Sequence, residues 1–150
     1  TEPLDPQAAL MRNLHAALAS AGDPHVSVSV LPHTALLLFM QARVLIDPRF
    51  EWERIESKIR RRLFDAFGYP NRDFNQDVLR SEAVAEIQAV QGVRFVDIDK
   101  FQALTKTVPT ESKMILNLSR IRIPVEPSVA AAICHLDPDA PDTLLLERMP

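Results

Sequence analysis

Ala35-Leu36-Leu37-Leu38-Phe39-Met40-Gln41-Ala42-Arg43-Val44-Leu45-Ile46 is the stretch on which the fold turns. Leu36, Leu38, Met40, Ala42, Val44 and Ile46 are apolar at every second position, the period at which a strand places side chains on one face. The alternate positions begin apolar and become polar at Gln41 and Arg43. The spacing therefore predicts a central strand, covered on both faces in its first half and wet on one face in its second. Its most apolar part, Ala35 to Met40, is far short of the roughly 20 residues that a membrane-spanning helix needs.

Toward the C-terminus, Asp47-Pro48 leads into a helix whose Trp52, Ile55, Ile59, Leu63 and Phe67 form one apolar stripe between charges. Arg60, Arg61 and Arg62 fall toward its end, where positive charge complements the helix dipole, and Gly68-Tyr69-Pro70-Asn71 stops it. Ser81 is the expected N-cap of a second helix carrying Val84, Ile87 and Val90, and Gly92 sits where a left-handed residue is wanted. Val93 to Phe101 then alternates Val96 and Ile98 with Asp97 and Asp99, the pattern of another strand. The order strand, helix, helix, strand predicts an α+β fold: a small mixed sheet with two helices packed on one face.

Toward the N-terminus, Leu10, Leu14, Ala17, Leu18 and Ala21 recur at helical spacing between Asp5 and Gly22, with Pro6 early and Gly22 just past the end. Gly22-Asp23-Pro24 closes this helix, and Val26, Val28 and Val30 alternate with serines as a further strand. Beyond Phe101 the expectation is a polar loop near Thr105 to Lys113 and short strands at Ser119 to Val125 and Thr143 to Arg148. The chain thus divides into an N-terminal helix over 1–22, packing on the domain or on a partner, an α+β domain over 23–101 and an irregular, short-stranded extension over 102–150. It opens Thr1-Glu2-Pro3-Leu4, with neither an initiator methionine nor a signal-like segment, which predicts a piece of a longer protein.

Composition narrows the class. At 150 residues, 47% hydrophobic and 25% charged, the chain has the size and make-up of one ordinary domain able to fold without disulfide or metal. A net charge of −3 gives no basic field for nucleic acid or an anionic membrane, so neither is an expected partner. A single cysteine, Cys134, forms no internal disulfide and points to a reducing compartment, hence cytoplasmic synthesis. Three glycines against twelve prolines leave no Gly-rich loop for phosphates.

Asp97 and Asp99 place two carboxylates on one side of a strand, where they could hold a metal or run acid and base chemistry; with no histidine or third acid nearby in sequence, a solvated sheet face is the better account. Asp137, Asp139 and Asp142 alternate like calcium ligands but lack the central glycine and closing glutamate, and two prolines make the segment a stiff turn. Cys134 beside His135 reads as a small buried cysteine rather than a nucleophile. His15, His25, His33 and His135 show no zinc spacing, and no serine sits in a strand-to-helix elbow. Lys58 with Arg60 to Arg62 lies among Glu51, Glu53 and Glu56, so a solvated helix face, or a contact with an acidic protein patch, explains it better than DNA. No catalytic, metal or cofactor-binding residue is assigned, no cofactor is expected, and the chain is not expected to be an enzyme. The alternatives are a metal-dependent hydrolase using Asp97, Asp99 and a histidine, and a nucleic-acid-binding domain.

Taken in order, these pieces form a series: Ala21-Gly22-Asp23-Pro24; Gln41-Ala42-Arg43-Val44-Leu45-Ile46-Asp47-Pro48; Arg62-Leu63-Phe64-Asp65-Ala66-Phe67; Arg72-Asp73-Phe74-Asn75-Gln76-Asp77-Val78; Ser81-Glu82; Ile87-Gln88-Ala89-Val90-Gln91-Gly92-Val93; and Val96-Asp97-Ile98-Asp99. The series resembles the C-terminal region of baseplate J-like proteins, the baseplate assembly proteins of phage tails and phage-tail-like contractile injection systems. The similarity is dense from Ala21 to Phe101 and returns at Leu136-Asp137-Pro138 and Pro141-Asp142-Thr143-Leu144. Asn75 stands where the family often has glycine and Gln91 where it often has proline, and Gln102 to Val129 carries little of the signature. The resemblance implies a C-terminal piece of a wedge subunit that pairs with copies of itself and with other wedge proteins in the sixfold ring around a central spike. It implies no catalytic residue or cofactor, and a location in the phage-tail-like particle after synthesis. Arg60, Arg61, Arg62, Asp97 and Asp99 are the candidate assembly contacts.

Overall fold

The structure, a computed structural model, describes residues 9–23, 26, 28–105, 118–123 and 131–150. Its elements are α1 (Ala9–Ala21), β1 (Thr34–Ile46), α2 (Trp52–Phe67), β2 (Val78–Leu79), α3 (Arg80–Gln88), β3 (Val93–Thr105), β4 (Arg120–Ile121), β5 (Ala132–His135) and β6 (Leu144–Arg148), with single 3-10 turns at Tyr69–Asn71 and Pro141–Thr143.

The alternating stretch from Leu36 to Ile46 forms the middle of a mixed four-stranded sheet. β1 pairs antiparallel with β3 along its length. On its other side it pairs parallel with β5 at Thr34 to Leu37 and with β6 at Met40 to Val44. Leu38, Met40, Ala42, Val44 and Ile46 all point into one core with Val96, Ile98 and Phe101 of β3, Ile55, Ile59, Leu63 and Phe67 of α2, and Ala83 and Ile87 of α3. The fold is therefore α+β, with the stripes of the helices and one face of the sheet burying each other, which drives folding through the apolar area removed from water. Thr105 is the last described residue of the polar loop expected near Thr105 to Lys113, and it still belongs to β3.

A β-bulge adjusts the register where two strand periods would otherwise conflict. Gln41 faces Lys100 and Ala42 faces Ile98, so Asp99 is an extra residue on β3. Because of it, Ile98 and Phe101, three positions apart, both reach the core, at 2% and 0% exposure.

Several local expectations are corrected. Val26, Val28 and Val30 do not form a strand: the described residues there are irregular, Val26 and Val28 are exposed, and the sheet begins at Thr34. Alternation alone supplies no pairing partner, and without one the backbone groups are left to water. Helix α1 exists, but Leu10, Leu14 and Leu18 of its stripe are exposed, and the residue it buries is Met11. Asp5 and Pro6, at its expected start, and His25 lie outside the described residues. Asp47-Pro48 opens a turn rather than the helix itself; α2 starts at Trp52, with Glu51 as N-cap. Ser81 is not the N-cap of α3, which starts one residue earlier with Leu79 in that place. Of the expected strand at Ser119 to Val125, only Arg120–Ile121 forms, and it pairs with β2 in a separate two-stranded sheet; Pro124 and Val125 lie outside the described residues. The strand expected at Thr143 to Arg148 is β6, starting at Leu144. The segment from 102 onward thus supplies two of the four strands of the main sheet. Among the described residues no helix is long and apolar enough to cross a membrane.

Candidate functional site: the outer face of the sheet

Helices α2 and α3 occupy one face of the sheet, so the side chains alternating away from the core form a second surface. Arg43 stands at its centre, directly opposite Asp97 on β3 and Glu147 on β6. Its Nε donates to Asp99 Oδ2 at 2.6 Å, while its Nη2 donates to Asp99 Oδ1 at 2.7 Å and to Asp97 Oδ2 at 2.9 Å. Asp97 and Asp99, two positions apart on β3, lie on the same side of the strand and both reach this guanidinium. Hydrogen bonding to Asp99, then the charge of that carboxylate, raises the pKa of Arg43 further, so the fork stays cationic. Beside it, Gln41 Nε2 donates to Glu147 Oε1 at 3.1 Å. Phe95, 51% exposed, and Leu145, 38% exposed, flank it.

The two aspartates singled out in the sequence therefore do converge, and what they converge on is an arginine. A cation already sits between the carboxylates, and a divalent ion there would face its charge. Among the described residues no group of three histidine, cysteine, aspartate or glutamate side chains could hold a metal ion.

The three arginines of α2 separate. Arg60 donates to Glu56 and to the main-chain oxygen of Leu144 at 3.1 Å, tying the helix to β6. Arg62 donates to Glu86 at 2.7 Å and ties α2 to α3. Arg61 remains exposed, with Asp65 at 3.9 Å. None of them lies in the last turn of α2, which corrects the expected dipole role: the effect fades within one turn of the helix end, and here side-chain carboxylates hold the charges instead.

Other polar residues of the sequence series act as clips. Arg72 lies over the ring of Phe67 at 5.7 Å and donates to the main-chain oxygen of Asp77 at 2.7 Å. Asn75, at φ 57°, donates its N–H to the Ala132 oxygen at 2.7 Å and accepts the Ala132 N–H on Oδ1 at 3.0 Å, joining the turn to β5. A left-handed position suits glycine or asparagine, whose short polar side chain tolerates it. Asp77, unassigned from the sequence, accepts the Ile123 N–H at 2.8 Å and binds the Arg120 guanidinium, locking β4 beside β2. No motif spacing could have found that clip, because its two halves are separated by more than forty residues.

Cys134 faces the helix-side core, and burial pushes its thiol up to about 12, so it is not a thiolate nucleophile. His135 is buried beside Tyr69, with ring centroids 5.2 Å apart. His33 touches Tyr69 and Phe74, and His15 is exposed on α1. Asp137 accepts the Asp139 N–H at 3.0 Å as part of the expected turn, and Asp142 lies in the adjoining 3-10 turn.

The Asp77 clip gives an acid-sensitive joint. The Ile123 N–H, then the Arg120 hydrogen bond, lowers the pKa of its carboxyl. A folded-state pKa below the unfolded one gives stability that is present above the unfolded value of roughly 4 and is lost as pH falls through the folded value. Asp77→Asn is therefore expected to be less stable than the native chain at neutral pH, with the difference shrinking as pH drops below about 4. Urea midpoints measured across that range test it; a difference independent of pH would exclude the carboxylate as its source.

Compared with protein-family profiles and with curated proteins, the chain matches none.

Proposed function

We propose that this chain is part of a structural wedge subunit of the baseplate of a phage tail or phage-tail-like contractile injection system, acting through protein–protein contacts. The observation that supports the reading is the use to which the polar residues of the resembling series are put. Arg43 with Asp97 and Asp99, Arg62 with Glu86, Asp77 with Arg120 and Ile123, and Asn75 with Ala132 each bind one part of the fold to another. Reactive sites gather such groups around a space where a substrate can sit; here they are distributed as staples through a scaffold.

On this reading the partners are copies of the chain and other wedge proteins in a sixfold assembly, without nucleic acid or cofactor. After cytoplasmic synthesis the protein becomes part of the particle. The exposed Arg61 is the member of the arginine group left with its charge outward.

The test is affinity purification of the tagged full-length protein from its native cells, followed by identification of co-purifying chains and electron microscopy of the eluate. Sheath, tube, spike and other wedge proteins in ring-like or tail-like particles are the expected result. Recovery of the protein free of all of these, in cells that do make such particles, rejects the reading. DNA binding that weakens steeply with salt and is lost in Arg61→Glu would favour a nucleic-acid role instead.

A further inference from the structure

We draw no further inference here: the strongest candidate, the exposed stripe of Leu10, Leu14 and Leu18 along α1, is an apolar helix face for which nothing in the structure shows what covers it.

Discussion

Phe67→Ala is expected to destabilise the fold by about 3–5 kcal/mol, the range for removing a large aromatic side chain from a packed core. That is at least about a fifth of the roughly 5–15 kcal/mol by which a typical domain is stable, so the variant should unfold at a clearly lower denaturant concentration. Phe67 is 1% exposed and ends α2 at the point where three parts of the molecule meet. Its ring lies in the common core, its main-chain oxygen accepts the Leu136 N–H at 2.8 Å, and its face carries the buried guanidinium of Arg72. Truncation leaves a cavity and also takes the aromatic partner from a charge that has little water around it. Phe67→Leu keeps most of the volume and should retain more of the stability than alanine. The comparison is with Phe95→Ala on the open face of the sheet, where 51% exposure predicts a change near the roughly 0.5 kcal/mol typical of surface sites. Equilibrium urea unfolding of the three variants decides the matter. Equal losses at Phe67 and Phe95 would mean that the core does not lie between the sheet and α2.

The residues that made this core predictable are those whose partners are of one kind. β1 and α2 were legible because every residue of an apolar stripe asks only for some apolar surface opposite, and periods of two and of three to four state which side needs it. Val26, Val28 and Val30 have the same period and yet form no strand, since a strand also needs a neighbour for its backbone and alternation cannot say whether one is available. Polar partners are specific and distant, so their pairing was less visible. Asp97 and Asp99 could be placed together on one side of a strand, but that Arg43 binds both depends on the register of β1 against β3. Arg60 and Arg62 were legible as charges on a helix, whereas their use as ties to β6 and α3 depends on how the layers stack. The four residues of β5 are too short a run to show a period, and they form a strand by pairing with Thr34 to Leu37 at the start of β1.

Gly92 tests the junction at the other end of the sheet. It has φ 103°, and its oxygen accepts the Asp47 N–H at 2.8 Å, so it joins the end of β1 to the turn that starts β3. A side chain at that φ is strained wherever it points, by about 1–3 kcal/mol. There is also little room: a Cβ on Gly92 would stand 3.0 Å from Phe50 Cγ and 3.0 Å from Ile55 Cδ1, so both side chains must give way slightly to admit a methyl group. The two effects act at one joint, and the expected loss is larger than the backbone term alone. Asn75, at φ 57°, provides the contrast, because its conformation lies in the left-handed well that asparagine tolerates. Asn75→Gly relieves any backbone strain and removes only the Oδ1 acceptor for the Ala132 N–H, a loss of about 0.5–1.5 kcal/mol for one hydrogen bond. The two substitutions should therefore rank with Gly92→Ala the more damaging, and amide exchange should show where: at Asp47 and Val93 for the first, at Ala132 for the second. If Gly92→Ala unfolds at the same urea concentration as the native chain, the positive φ is wrong, and with it the geometry by which the helical connection between β1 and β3 is closed.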